Sequence, residues 1–145
     1  MTDNCNQALR FVHDKRVEFA DTDMAGLVHF SNMLRYMEET EYAFLRSLGL
    51  SVVLDDERGK LGFPRVNVQC DYLRPARFED LLTTELTVEK NDGKCLVYVF
   101  VTRRETTEIA RGQFTVVCCR FPPDAEPYAI PIPDRVLKLI PLIGE

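Results

Sequence analysis

Ser31-Asn-Met-Leu-Arg-Tyr-Met-Glu-Glu-Thr-Glu-Tyr-Ala-Phe-Leu-Arg-Ser-Leu48 is the stretch on which the fold turns. Leu34, Met37, Phe44, Leu45 and Leu48 recur at intervals of three and four, which predicts an amphipathic helix over 31–48 about 27 Å long. On a wheel advancing about 100° per residue, Met33, Leu34, Met37, Phe44, Leu45 and Leu48 share one arc, opposite Arg35, Glu39, Tyr42 and Arg46. Ser31 or Asn32 can cap the start, and Gly49 can end the helix in a left-handed conformation. Glu41 falls inside the apolar arc, where an isolated carboxylate is costly unless it is paired.

On the N-terminal side, short alternations over Phe11–Phe19 suit a first strand, and Ala20–Gly26 reads as a turn. After Gly62 the apolar period becomes two. Phe63–Tyr72 alternates Val66, Val68 and Cys70 with polar residues, and Leu82–Val88 alternates Leu82, Leu86 and Val88 with threonines, so both read as strands. Asn91-Asp92-Gly93 is a hairpin turn signal. Cys95–Thr102 and Ile109–Phe121 give two further strands, the last stopped by Pro122-Pro123. Asp134–Ile140 reads as a short amphipathic helix with Pro133 at its first position. One long helix followed by hairpin-connected strands means an α+β domain over 1–145, a five-stranded antiparallel sheet curled around the long helix. One helix is too few to cover both faces of such a sheet. Its edge or outer face is left for a partner subunit, which predicts a homodimer or homotetramer.

The chain has 145 residues, 46% hydrophobic and 28% charged, which suits one globular domain able to hold a core without disulfides. A net charge of −5 and the lack of any Lys/Arg run argue against nucleic acid as a partner. Cys5, Cys70, Cys95, Cys118 and Cys119 form no CxxC pair, and with only two histidines no metal site is expected. They read as reduced thiols. No run of 18 apolar residues occurs and Met1–Ala8 lacks the pattern of a signal peptide, so the expectation is a cytoplasmic protein with no membrane partner.

The most unusual segment is Val17-Glu-Phe-Ala-Asp21-Thr-Asp23-Met-Ala-Gly26-Leu-Val-His29-Phe30-Ser31-Asn32. Folded back, this loop can set the Asp23 carboxylate against the helix N-terminus, where free backbone N–H groups favour developing negative charge. A carboxylate opposite an oxyanion site is a minimal arrangement for acyl transfer. The alternative from the residues alone is that Asp21 and Asp23 are ordinary loop and capping residues.

Arg16 to Asp23, Ala25–His29, Ser31 to Glu39 and Phe44–Gly49, together with Asp71–Leu81, resemble the hotdog-fold acyl-CoA thioesterases of the 4-hydroxybenzoyl-CoA thioesterase family. The Thr22-Asp23-x-x-Gly26 core is the most specific part of the match. The resemblance implies hydrolysis of an acyl-CoA to free acid and coenzyme A, with coenzyme A as part of the substrate and no other cofactor. It implies that Asp23 is nucleophile or general base, and that a backbone N–H near Phe30 or Ser31 holds the oxyanion. Gly26 would let the loop approach the acyl group, and His29 would shape its pocket. Phe30 stands where some relatives carry histidine. Glu38 matches a glutamate common in the family helix, and Glu41 is a secondary candidate for the site.

The phosphates of coenzyme A need cations, for which Arg74, Arg77, Arg103 and Arg104 are the candidates. Aromatic acyl groups, hydroxybenzoyl or dihydroxynaphthoyl, fit the resemblance, as do short aliphatic ones. Two other readings are an enoyl-thioester hydratase or dehydratase of the same fold, and a non-catalytic acyl-CoA binding module. The former would need a separately placed acid and base. The latter gains nothing from a carboxylate beside a polarised carbonyl.

Overall fold

A computed structural model describes residues 9–144, so the expectations for Cys5 and for Met1–Ala8 lie outside the described residues. Strands β1 (Arg10–Arg16), β4 (Arg65–Tyr72), β5 (Leu81–Asn91), β6 (Cys95–Arg104) and β7 (Thr107–Val117) form one antiparallel sheet in the order β1-β5-β6-β7-β4. Helix α1 (Phe30–Ser47) packs against β5, β1 and β7. Alternation fixes the covered face: Leu82, Leu86 and Val88 of β5, Leu96, Tyr98 and Phe100 of β6, and Phe114 and Val116 of β7 are buried. Thr84 and Thr102 fall on the same face and satisfy each other across the β5–β6 pair, with hydroxyl oxygens 2.8 Å apart.

The apolar arc of α1 faces this sheet. Met33, Met37, Phe44 and Leu45 are buried as the wheel places them, whereas Leu34 and Leu48 are only partly buried. Phe44 meets Phe11 at 5.9 Å and Tyr98 at 6.2 Å between ring centroids. Closest approach falls at Gly112 of β7, where a β-carbon would collide with Met37 Sδ and sit 2.8 Å from Met37 Cε.

Several boundaries differ from the sequence expectations. The helix starts at Phe30, and its cap is His29 rather than Ser31 or Asn32, because the His29 ring nitrogen turns back onto the Ser31 amide. The first strand stops at Arg16, since Phe19–Asp21 closes into a single 3₁₀ turn stapled by Glu18 N–H donating to Asp21 Oδ2 at 3.1 Å. The strand expected over Ile109–Phe121 breaks at the buried Cys118. Cys119–Arg120 (β8) then joins a second, four-stranded antiparallel sheet with Val53–Asp56 (β2), Gly59–Gly62 (β3) and Tyr128–Ala129 (β9), in the order β2-β3-β8-β9. The second helix, α2, spans only Asp134–Leu137, and Pro133 caps it instead of occupying its first turn.

Asn91-Asp92-Gly93 forms the expected turn, with Gly93 at φ +92°. Asn91 is buried and anchors the C-terminal segment, its amide donating to the Ile140 carbonyl at 2.8 Å. Strand β4 is one of the two edges of the large sheet, and its apolar residues stand out: Val66 is 61% exposed and Val68 40%. Cys70, Cys95, Cys118 and Cys119 are free thiols. Among the described residues, no helix is long and apolar enough to cross a membrane.

Candidate active site

The segment between β1 and α1 is held at both ends by the connection that follows β4. Val17 N–H donates to Asp80 O at 2.9 Å, Glu79 N–H donates to Val17 O at 3.0 Å, and Val28 N–H donates to Ala76 O at 2.8 Å. Inside these ties the chain makes a tight reversal. His29 N–H donates to Asp21 O at 2.9 Å and Asp23 N–H to Leu27 O at 2.7 Å, while Gly26 adopts φ +78°, a conformation that glycine takes without steric cost. Asp23 Oδ1 accepts from Ala25 N–H at 2.8 Å and Leu27 N–H at 3.2 Å, so the carboxylate is oriented by its own loop.

Asp23 is exposed and forms a common wall of two cavities. One, of about 710 Å³, includes Phe19, Thr22, Gly26 and His29. The other, of about 370 Å³, includes Val28, Phe30, Met33, Tyr72 and Arg74. Phe30 is the first residue of α1, so this second cavity meets the positive end of an 18-residue helix. Of the first-turn amides, Ser31 N–H is engaged by His29 Nδ1 at 3.3 Å and Asn32 N–H by His29 O at 2.9 Å. Phe30 N–H meets no protein acceptor among the described residues. The cavity therefore combines a carboxylate, an unclaimed helix-start N–H and a largely apolar wall, the groups that addition to a carbonyl requires.

The remaining candidates are placed differently. His29 borders the Asp23 cavity, but its Nδ1 is 2.7 Å from Ser31 Oγ and its ring stacks on Phe30 at 4.5 Å between centroids. Both His29 and Ser31 thus serve the helix cap. Glu38 and Glu41 lie two and three turns along α1, about 12 and 17 Å of axial rise from Phe30, and within the protomer they are not brought to Asp23. They converge instead on Arg65 Nη2, at 3.2 and 3.0 Å. Glu41 is 4% exposed and its Oε2 has no hydrogen-bond partner. Burial pushes its carboxyl up to about 7 even though Arg65 pulls the other way.

Arg74 and Arg77 are exposed and make no ion pair among the described residues. Arg74 lines both the Phe30 cavity and a neighbouring polar recess of about 670 Å³ that includes Thr106 and Thr107. Arg104 is committed to Asp80 at 2.9 Å and to the Pro75 carbonyl at 3.2 Å, and Arg103 lies 3.7 Å from Glu108.

Sequence reading missed three contacts in this region. Tyr72 Oη donates to the Phe30 carbonyl at 2.7 Å, Tyr36 Oη donates to Asp21 Oδ2 at 2.7 Å, and Asn32 Nδ2 donates to Asp21 O at 2.9 Å. Each joins residues 11 to 42 positions apart. For Asn32 and Tyr36 the only local signal was an amide and a hydroxyl side chain on the first two turns of the helix, and for Tyr72 there was none.

A family model described as the thioesterase-like superfamily matches residues 17–139. A 1,4-dihydroxy-2-naphthoyl-CoA hydrolase of Synechocystis is 30% identical over 77% of this chain and 83% of its own length. An acyl-CoA thioesterase of Haemophilus influenzae is 27% identical over 71% of this chain and 76% of its own. Among solved structures, a 1,4-dihydroxy-2-naphthoyl-CoA thioesterase from Synechocystis superposes with a TM-score of 0.79 at 26% identity, covering 90% of this chain and 95% of that one.

Proposed function

The chain belongs to the thioesterase-like superfamily, with the hotdog fold, and is an acyl-CoA thioesterase; we propose that Asp23 carries its chemistry, with the thioester carbonyl set against the Phe30 amide. The observation that carries this reading is that Asp23 and the start of α1 wall the same cavity, with Phe30 N–H unclaimed there. Asp23 either adds to the thioester carbon or takes a proton from a water that adds to it. In both routes the carbonyl π electrons move to oxygen, and the resulting oxyanion accepts a hydrogen bond from Phe30 N–H at the positive end of the helix. Collapse breaks the C–S bond, and coenzyme A leaves as the thiol once protonated. On the nucleophilic route, water then cleaves the acyl–Asp23 anhydride.

Val28, Met33 and Ala76 give the Phe30 cavity an apolar wall, and Phe30 and Tyr72 supply aromatic surface, which favours an aromatic acyl group. The dihydroxynaphthoyl-CoA hydrolases among the relatives support the same class. Arg74 is the best placed cation for a phosphate of coenzyme A, because it lines both the acyl cavity and the outer recess, with Arg77 three residues further on. Arg103 and Arg104 are secondary, since their charges are already engaged. A homo-oligomer is supported by the β4 edge, where Val66, Val68 and Tyr72 stand exposed on a strand with one free side. A coenzyme A thioester as substrate suits a cytoplasmic protein.

Thiol release measured with a trapping dye over benzoyl-, hydroxybenzoyl-, dihydroxynaphthoyl-, short-chain and long-chain acyl-CoA tests the assignment. Release that favours the aromatic members and disappears in Asp23→Asn is expected. Equal release by Asp23→Asn would exclude Asp23, and a preference for long aliphatic chains would exclude the aromatic class.

A further inference from the structure

Asp21 accepts four hydrogen bonds from four separate points of the active-site segment. Its side chain takes the Tyr36 phenol at 2.7 Å and Glu18 N–H at 3.1 Å, and its carbonyl takes His29 N–H and the Asn32 side-chain amide, both at 2.9 Å. The donors are the residue that precedes the 3₁₀ turn, the helix cap, and the first and second turns of α1. Asp23 is two residues further along the chain.

We propose that Tyr36 and Asp21 act as a positioning clamp that sets the Asp23 carboxylate relative to the start of α1. This rests on the assignment of Asp23 as the reacting group. The clamp has a fixed and a movable jaw. Tyr36 is the fixed one: it is 2% exposed, it sits on the core side of a long helix, and its own carbonyl accepts the Thr40 hydroxyl at 2.9 Å. The movable jaw is the loop, half-buried at Asp21 and exposed from Asp23 to Gly26. An exposed loop has little packing to hold it, so a charge-assisted hydrogen bond to a buried anchor adds materially to the backbone ties that position it. Burial and the Asp21 carboxylate both raise the Tyr36 pKa, which keeps the phenol a donor throughout the working pH range.

The remaining ties fall elsewhere. His29 N–H and Asn32 Nδ2 hold the Asp21 carbonyl, and Glu18 N–H, the other donor to Oδ2, comes from the loop side, so of the four donors the phenol is the one that ties the Asp21 side chain to the buried face of α1. Tyr36 lines neither cavity that Asp23 lines. Its removal therefore acts on the placement of Asp23 and leaves the substrate-binding surface as it is.

The test is steady-state thiol release on the best acyl-CoA substrate by the full chain, with Tyr36→Phe, Asp21→Ala, Asp21→Asn and Asp23→Asn compared at a temperature well below each unfolding midpoint. Displacing a reacting group by an ångström can cost about a hundredfold, and a loosened loop should cost less than that. Tyr36→Phe and Asp21→Ala should each lower kcat by about tenfold with KM within about twofold, and the double variant should lose no more than Asp21→Ala alone. Asp21→Asn keeps an acceptor oxygen for the phenol and should recover most of the kcat lost in Asp21→Ala. A purely structural role would shift the unfolding midpoint without this split between kcat and KM and without that recovery. If Asp23→Asn is inactive while Tyr36→Phe or Asp21→Ala keeps wild-type kcat, the clamp is wrong and the Asp23 assignment stands. If Asp23→Asn turns over normally, the assignment fails and the clamp falls with it.

Discussion

Tyr72, the last residue of the edge strand β4, donates its hydroxyl to the carbonyl of Phe30, the first residue of α1, at 2.7 Å. This bond joins two residues that line one cavity and ties the sheet edge to the helix start. Tyr72→Phe removes it with little change in volume. Because Tyr72 is about half exposed, the stability cost should be near the lower end of the hydrogen-bond range, about 0.5–1 kcal/mol in urea unfolding. The larger effect should be a several-fold fall in kcat/KM, since the residue that moves carries the proposed oxyanion donor.

Glu41 makes stability depend on pH near neutrality. Its folded pKa is raised from 4.5 to about 7 by burial, against the pull of Arg65 and with a further push from Glu38, and Tyr98 is the other titratable group that senses its charge. A carboxyl with a raised folded pKa binds its proton more tightly in the folded state. Stability is therefore fully present below the unfolded pKa and is lost as pH rises from about 4.5 to about 7. The loss is on the order of 3 kcal/mol. Glu41→Gln should flatten this slope in urea unfolding at pH 5 and pH 8. A slope unchanged in Glu41→Gln would show that Glu41 does not titrate in that window.

Asp56 works in the opposite sense. Arg120 grips its two oxygens at 2.6 and 3.0 Å, joining the β2–β3 hairpin to β8, and this holds the Asp56 carboxyl down at about 2. A depressed pKa adds stability above the unfolded value, lost as pH falls through about 4 to about 2. Asp56→Asn should lower the Tm at pH 7, and the difference from wild type should shrink as pH falls from about 4 and vanish only below about 2.

Gly112 is where α1 comes closest to the sheet. Since a β-carbon there would overlap Met37 Sδ within a fully buried contact, Gly112→Ala should cost about 1–3 kcal/mol in urea unfolding. In a Met37→Ala background Gly112→Ala should cost less than it does in the wild-type chain, because the shorter side chain removes the clash.

The large sheet and long helix are legible in the sequence because both are periodic. The arc of Met33, Met37 and Phe44, the alternation of Leu82, Leu86 and Val88, and the turn at Asn91-Asp92-Gly93 are each local patterns. The second sheet is not periodic. Its strands are two to four residues long, and the break at Cys118 is hidden inside the apolar run Val116-Val117-Cys118-Cys119. The site is legible where one short segment carries it: Asp23, Gly26 and Phe30 do fall around one reversal of the chain. The partners that orient it are not legible, because Asp21 to Tyr36 and Phe30 to Tyr72 are contacts created by the fold. Glu41 shows both sides. Its anomaly stands out on the helical wheel, whereas its partner Arg65 is 24 residues away and only the fold, which brings the first residue of β4 to the Glu41 side chain, joins the two.

The most direct test of the account separates holding the substrate from cleaving it. Binding of hydroxybenzoyl-CoA to Asp23→Asn would be measured by calorimetry, and thiol release from the same complex followed over many wild-type turnover times. Affinity within a few-fold of the wild-type KM together with a fall in kcat of at least about a thousandfold is the predicted result. Turnover by Asp23→Asn at a rate near that of wild type would contradict it, and would place the reacting group elsewhere in the cavity.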